Sequence, residues 1–172
     1  VGRGGFKNGG AKIQAEGIAD SQTARDYEPY AGGGYGALMM PGADDAAKVA
    51  HLGALVRVMH SDGCQLAVHA TGDRTMEEGV KELVADMREN PWDARHYTVH
   101  GDWIPCETMR MMAESGIAHN TQTAIKYVLA DDTTRRAGEE RPGNQCPLRE
   151  LLDMGIRVCN SSDTPVVDPD WR

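Results

Sequence analysis

Residues 65–73, with the sequence QLAVHATGD, give the clearest indication of the fold class of this chain. Leu66 and Val68 alternate with Ala67 and His69, which is the period-two pattern of a strand with two unlike faces. A glycine-containing turn follows at once, and residues 75–89 then show the apolar spacing of a helix. The stretch therefore predicts a strand, a tight turn and a helix, with His69 at the carboxyl end of the strand.

The same unit recurs along the chain. Short apolar or alternating runs predict five strands, at residues 11–16, 64–69, 96–100, 117–121 and 156–160. Helical patterns are found at residues 43–60, 75–89, 105–114 and 147–154. Strands that alternate with helices are typical of a parallel sheet, so the predicted fold class is α/β.

Two segments interrupt this alternation. Residues 17–42 contain the run GGGYG at 32–36, and residues 130–146 are rich in charge and glycine. Long irregular connections in a compact α/β domain are often mobile loops over an active site. Each segment is either such a lid or a simple surface loop, and the sequence favours neither.

The composition excludes two classes of partner. The formal net charge is −8, which leaves no basic stripe for nucleic acid or for an anionic membrane surface. A transmembrane helix needs a run of about 18 apolar residues or more, and none occurs. We therefore expect no nucleic-acid or membrane partner, and a cytoplasmic location.

The four cysteines are widely spaced and form no CxxC pair; they are Cys64, Cys106, Cys146 and Cys159. This spacing resembles neither a zinc knuckle nor a disulfide framework. It predicts reduced and mostly buried thiols.

The first strand carries polar residues where a parallel sheet normally buries apolar ones. Ile13 and Ala15 share one face, and the opposite face carries Lys12, Gln14 and Glu16. That polar face cannot point at helices. We therefore expect it to point into an interior shared with other strands.

The third strand shows the same conflict. Period-two alternation over residues 96–100 turns Tyr97 and Val99 toward the helices. It turns His96, Thr98 and His100 toward the interior. A common polar interior between neighbouring strands is the expectation.

Three ligand-type side chains, Lys12, His69 and His100, thus converge on one interior, and Asp163 follows the last strand at the same rim. Burying each of these side chains costs on the order of several kcal/mol in lost hydration, unless a partner forms hydrogen bonds or ion pairs with it. A metal ion is such a partner. Each residue alone also fits a structural role, as a hydrogen-bonded core histidine, a turn or cap aspartate, or a lysine that reaches solvent.

Several motifs together resemble the amidohydrolase superfamily. They are, in chain order, Lys12 in a strand, GIADSQTA at 17–24, VHATGDR at 68–74, RHYTVH at 95–100 and SSDTPV at 161–166. The branch that they resemble most contains N-substituted formamide deformylases and similar metal-dependent hydrolases. The resemblance implies a partial (β/α)8 barrel whose parallel strands correspond to barrel strands four to eight.

The resemblance also implies roles for four residues. Lys12 would be the strand-four lysine, carbamylated or not, that bridges two metal ions. His69 and His100 would be metal ligands from strands five and six. Asp163 would be the carboxylate after strand eight, both a metal ligand and the general base. The implied cofactor is a divalent metal, one or two ions, with zinc favoured.

Three further residues are candidates for binding substrate or supporting the ligands, namely Arg95, Asp73 and Asp102. For Asp73 the sequence slightly favours a different role. It could form an ion pair with Arg74 that opens the following helix.

The superfamily's first strand supplies a His-x-His pair, and no His-x-His occurs in these 172 residues. A complete (β/α)8 barrel also usually needs about 250 residues. We therefore expect residues 1–172 to form one incomplete barrel domain of a longer chain. Such a domain has unpaired strand edges near Lys12 and Cys159, which favour a homo-oligomer.

The predicted function is metal-dependent hydrolysis of carbon–nitrogen bonds other than peptide bonds, in a small amide or cyclic amide, with activated water as nucleophile. The domain alone is expected to be impaired. Two alternatives stay open. One is a non-catalytic barrel fragment that self-associates through its open edges, and the other is a related barrel hydrolase for other esters or imides.

Overall fold

The computed structural model describes Gly5, residues 9–138, Gln145 and residues 147–167. In chain order the elements are β1 (Ala11–Gln14), a 3-10 turn (Ala19–Ser21), α1 (Asp45–Ser61), β2 (Leu66–Ala70), α2 (Asp73–Glu89), β3 (Tyr97–His100), α3 (Cys106–Ser115), β4 (Ala118–Thr121), α4 (Thr123–Ala137), α5 (Leu148–Asp153) and β5 (Val158–Asn160). All five predicted strands and all four predicted helices are present. Their ends differ from the prediction by no more than two residues.

The strands form one sheet in the order β1-β2-β3-β4-β5, and every neighbouring pair is parallel. The predicted α/β class is therefore confirmed. Among the described residues the sheet is open, since β1 pairs only with β2 and β5 only with β4. An open parallel sheet of βα units is consistent with part of a (β/α)8 barrel.

The main core lies between the helices and one face of the sheet. All five residues of β2 are buried. Val68 faces α2, where Gly79 permits close approach, because a Cβ on Gly79 would lie 3.0 Å from Val68 Cγ1. Met76 and Leu83 of α2 are fully buried in the same cluster. This packing explains why the alternation of Leu66 and Val68 is so clear in the sequence.

The helix ends follow the expected rules. Asp44 precedes α1, and its Oδ1 accepts a hydrogen bond of 2.8 Å from the Ala47 amide. Helix α3 ends at Gly116, whose φ of 74° lies in the left-handed region that favours glycine. No helix in the described part of the chain is both long and apolar enough to cross a bilayer.

Helix α4 is an element that the sequence pattern missed. Residues 130–137, predicted as part of an irregular segment, form its second half. Tyr127 and Val128 are 87% and 63% exposed, while Ile125 and Leu129 line a cavity. Apolar residues therefore lie on several sides of α4, and the usual helical spacing is lost. Residues 139–144 and Cys146 lie outside the described residues.

The face assignment of Thr98 is wrong. The registers pair Val68 with Thr98 and Thr98 with His119. Partners in a parallel register point to the same side, and Thr98 Oγ1 lies 2.9 Å from His119 Nδ1. Thr98 therefore lies on the helix side of the sheet, together with Val68.

Tyr97 and Val99 accordingly lie on the other face, with His69, whose register partner is Val99. The prediction failed because it applied strict alternation to the whole strand, His100 included. His100 has a φ of 79°, so it has left the extended conformation and no longer follows the alternation.

His96 was also predicted to point inward. It is 1% exposed, but it lies at the amino end of β3, where its Nε2 is 2.8 Å from His60 Nδ1 of α1. A structural partner therefore satisfies this imidazole.

The described cysteines are free thiols, as expected. The expectation that they are mostly buried is wrong, because Cys106 and Cys159 are exposed and Cys64 is half-buried. Cys159 belongs to β5, the edge strand, which no further described strand covers.

Candidate active site

A cavity of about 270 Å³ lies at the carboxyl ends of the strands, next to α4. Carboxyl ends of parallel strands are where side chains from different strands can meet. The ionisable side chains that line it are Lys12, Asp20, His69, His100, Asp102, Lys126 and Asp163. Apolar side chains line it as well, namely Ile18, Ile125, Leu129 and Val166.

His69 and His100 lie side by side in this cavity. Their ring centroids are 4.4 Å apart and the ring planes meet at 67°. His69 reaches the cavity by ordinary strand alternation. His100 ends β3, and its positive φ of 79° directs the ring into the cavity rather than toward the helices. The unusual backbone of His100 therefore brings the two imidazoles together.

The hydrogen bond of His69 defines its tautomer. His69 Nε2 lies 2.9 Å from the carbonyl oxygen of Gly17, which can only accept, so Nε2 carries the proton. Nδ1 is buried, and no described residue forms a hydrogen bond with it. A histidine that donates one N–H to a carbonyl and keeps the other nitrogen unprotonated has the arrangement of a metal ligand.

Both imidazoles are held neutral. Burial lowers the pKa of His69, and burial together with the nearby His69, Lys12 and Lys126 lowers the pKa of His100 to about 3. Near pH 7 both rings therefore offer an electron pair rather than a positive charge.

Lys12 and Asp163 complete the group of four residues predicted as ligands. Lys12 comes from β1, and Asp163 follows β5 with a φ of 58°. The charge of Lys12 lowers the pKa of His69, and the charge of Asp163 raises it. The structure thus brings all four residues to one cavity, and their roles as ligands stay predictions.

Asp102 also lines the cavity, and it is paired. Its side chain forms an ion pair with Lys126 of α4, and the two side chains are 7% and 15% exposed. The pair joins the end of β3 to α4. The sequence did not point to Lys126, because its helix was not predicted.

The structure does not bring Asp73 or Arg95 to the cavity. Asp73 begins α2, and its Oδ1 accepts a hydrogen bond of 2.8 Å from the Tyr27 amide. Arg74 pairs with Asp45 at 2.7 Å. Arg95 lies at the amino end of β3, where it pairs with Asp93 at 2.8 Å.

A sequence model of the Amidohydrolase family matches residues 2–171. The chain belongs to the amidohydrolase family. The resemblance deduced from the motifs is therefore confirmed at the level of the superfamily.

Relatives of this amidohydrolase chain are longer. YtcJ of Bacillus subtilis (strain 168) is 29% identical over 167 residues, or 94% of this chain and 30% of YtcJ. Among solved structures, an uncharacterized metal-dependent hydrolase from Pyrococcus horikoshii OT3 superposes with a TM-score of 0.75 at 19% identity, over 94% of this chain and 31% of that one. The corresponding hydrolase from Pyrococcus furiosus gives 0.72 at 21% identity, over 94% and 32%.

These two structural comparisons show a shared fold. The chain spans about a third of the length of each relative.

The described residues contain no group of three or more His, Cys, Asp or Glu side chains that could hold a metal ion. Whether a cation fits this cavity therefore depends on the histidine pair. The buried, unpartnered Nδ1 of His69 and the neutral ring of His100 beside it have the donor chemistry that a divalent cation requires. The pair fits as part of a ligand set.

Two buried residues near the cavity, Gln122 and Glu16, were not predicted as part of the site. Gln122 is 1% exposed, its Nε2 donates to Asn120 Oδ1 at 3.1 Å and to Ser161 Oγ at 3.0 Å, and its side chain raises the pKa of His100. Glu16 is fully buried and accepts backbone hydrogen bonds from the turn after β2. In the sequence, Glu16 was assigned to the polar face of the first predicted strand, residues 11–16, but that pattern did not reveal its partners.

Proposed function

We propose that this amidohydrolase-family chain is part of a metal-dependent hydrolase that cleaves carbon–nitrogen bonds other than peptide bonds in small amides or cyclic amides. The observation that carries the proposal is the adjacent pair His69 and His100, with the unpartnered Nδ1 of His69. Family membership supports hydrolysis as the reaction class.

The residues that would hold a divalent ion are His69 and His100, with Asp163, which follows β5, as a further ligand. Lys12 of β1 would be a ligand only in its carbamylated form, because a protonated lysine has no electron pair to give. Neutral imidazoles and oxygen ligands suit zinc. When bound, such an ion lowers the pKa of water to about 7, so that a nucleophile exists near neutral pH.

Asp163 is the residue that we propose as the proton carrier. Its carboxylate lines the same cavity as the two imidazoles, which are neutral and cannot donate a proton at pH 7. An amide nitrogen leaves only after it gains a proton. Asp163 would take a proton from water and deliver it to that nitrogen.

The apolar lining supports a substrate with an apolar group. Ile18 follows β1, Ile125 and Leu129 belong to α4, and Val166 follows β5. These side chains can hold an apolar substituent while the amide lies near His69. An N-substituted formamide or a similar amide has this form, which supports our proposal that the chain is related to that branch of the family.

We propose that the chain contributes one incomplete barrel domain, and that further ligands come from residues outside it. The open edges β1 and β5 support this, because each pairs with a single neighbour among the described strands. A non-catalytic fragment that self-associates through these edges is the second candidate. The mass of the protein in solution, measured together with its metal content, separates the two, because a stable metal-free dimer that is inactive on amides would favour the second.

The test is zinc content combined with turnover. Purified protein is dialysed against zinc, and zinc is measured for the wild type, His69→Gln and His100→Gln. His51→Gln, on α1 and away from the cavity lining, is the matched control. We expect loss of zinc in the two cavity variants and no loss in the control.

Turnover is measured on N-substituted formamides, cyclic imides and carboxylic esters, in the longest natural protein that carries this chain. Amide hydrolysis that requires His69 is the expected result. Hydrolysis of esters alone would contradict the carbon–nitrogen assignment, and amide hydrolysis that survives both cavity variants would contradict the site.

A further inference from the structure

Glu16 is a carboxylate with no exposed surface, and it lies outside the cavity lining. Its Oε1 accepts hydrogen bonds from the backbone amides of Thr71, at 2.6 Å, and Gly72, at 2.7 Å. Its Oε2 accepts from the backbone amide of Arg25. One side chain therefore joins the residues after β1, the turn after β2 and the segment 17–42.

The neighbour of Glu16 is the residue that contacts His69. The carbonyl of Gly17 accepts from His69 Nε2 at 2.9 Å and from Thr71 Oγ1 at 3.2 Å. A Cβ at position 17 would overlap the hydroxyl of Thr23, so only glycine fits there. With Glu16 held on both oxygens, the carbonyl of Gly17 has little freedom to turn away from His69.

We infer that Glu16 is a positioning residue for His69: through the carbonyl of Gly17 it fixes the proton on Nε2 and so presents the Nδ1 electron pair to a divalent cation. The inference rests on the proposed function for the cation. The position of the proton on His69 depends only on residues of this chain, so it can be measured in metal-free protein.

The surroundings of Glu16 suit the ionised form. The hydrogen bonds described above all come from N–H groups that donate to it, and a protonated carboxyl would direct a hydrogen at one of them. Burial raises the pKa of Glu16 to about 7, and the backbone hydrogen bonds from Arg25 and Gly72 act against this rise. At pH 8 Glu16 is therefore mostly ionised, and the measurements below are made at that pH.

Glutamine cannot replace this carboxylate. Both oxygens of Glu16 accept from backbone N–H groups, so the NH₂ of a glutamine would face a donor on one side or the other. The Glu16→Gln variant should release either Arg25 or the turn after β2. A role in folding alone would lower the stability of this variant without changing His69 in the molecules that remain folded.

The first experiment needs no variant. Metal-free protein labelled with ¹⁵N at histidine is examined by NMR at pH 8, and the His69 signals are assigned by their loss in His69→Gln. We expect the tautomer with the proton on Nε2. A proton on Nδ1, or averaging between the two tautomers, would overturn the inference.

The second experiment compares Glu16→Gln with Glu107→Gln, the same chemical change at an exposed position of α3. Circular dichroism first establishes that each protein is folded. In Glu16→Gln we expect mixed His69 tautomers and zinc affinity weaker by about tenfold, the lower end of the effect of residues that orient metal ligands. Glu107→Gln should match the wild type in both.

A folded Glu16→Gln with an unchanged His69 tautomer would contradict the inference. If Glu16→Gln does not fold, Glu16→Asp takes its place. Aspartate keeps the negative charge on a side chain that is one methylene shorter, so we expect a smaller change in the His69 tautomer and in zinc affinity, in the same direction. A wild type that binds no zinc would refute the proposed function, and the tautomer comparison would still decide the role of Glu16.

Discussion

His60 Nδ1 lies 2.8 Å from His96 Nε2, in a buried pair at the opposite end of the sheet from the candidate active site. The Leu66 amide donates to His96 Nδ1 at 2.9 Å, so the proton of His96 is on Nε2 and is donated to His60. His60 Nε2 then donates to the Asn90 carbonyl at 2.8 Å. Every ring nitrogen has a partner only while both rings are neutral.

This pair predicts a loss of stability in acid. Burial lowers the pKa of His96 from 6.5 to about 4. Between these two pH values the unfolded chain binds the proton more tightly, so the free energy of unfolding falls as the pH falls. We expect His96 to account for about 2 kcal/mol of the loss between pH 7 and pH 4.5.

The measurement is urea unfolding at pH 7 and pH 4.5, for the wild type and for His96→Gln. Other buried groups also make stability depend on pH: the lowered pKa values of His100 and His119 reduce stability in acid, and the raised pKa of Glu16 increases it. These contributions are present in both proteins, so the difference between the proteins gives the contribution of His96. Equal pH dependence in the two proteins would show that the pair does not couple folding to protonation.

Gly101, between His100 and Asp102, lies where the structure leaves no room for a side chain. Its φ is 59°, and a Cβ there would lie 2.5 Å from His119 Cε1 and 2.9 Å from Ile104 Cδ1. Gly116 is a matched control, with a φ of 74° and open space around it. Gly116→Ala should cost about 1 kcal/mol for backbone strain alone. Gly101→Ala should cost at least about 1 kcal/mol more, since the ring of His119 must move.

Urea unfolding of both variants gives this comparison. The same loss of stability in both variants would mean that the ring of His119 moves at no cost in free energy and does not support the turn that holds His100.

The ion pair between Lys126 and Asp102 should hold α4 against the end of β3. Lys126→Met leaves Asp102, 7% exposed, without this partner, and we expect a loss of about 2 kcal/mol in the free energy of unfolding. Arg149→Met breaks an exposed pair with Asp153 on α5 and should cost less than about 0.5 kcal/mol.

Hydrogen exchange separates a local effect from a global one. In Lys126→Met the amides of α4 should exchange faster than those of α2. Unchanged exchange in α4 would mean that other contacts, such as Thr133 Oγ1 with Asp20 Oδ1 at 2.9 Å, hold the helix without the ion pair.

The sequence predicted those features that local pattern controls. The strand β2, the glycine turn after it and helix α2 follow from adjacent residues, and with them the place of His69 at the carboxyl end of its strand. The family could be predicted for the same reason, because its motifs are short and continuous.

The features that were missed depend on backbone conformation or on distant contacts. The positive φ of His100 cannot be read from alternation, so Thr98 was placed on the wrong face. The partners of Glu16 lie as far as 56 residues away along the chain, so no local sequence pattern predicts them. Arg95 shares a motif with His100 but lies at the other end of the same strand, so proximity in sequence was misleading.

We propose that His69 and His100 bind one divalent cation. Anomalous diffraction at the zinc edge, from crystals soaked in zinc at pH 8, would locate that cation. We expect a peak about 2.0–2.1 Å from His69 Nδ1 and from a ring nitrogen of His100. A zinc peak at other residues, or none near His69 in well-ordered crystals, would contradict the claim.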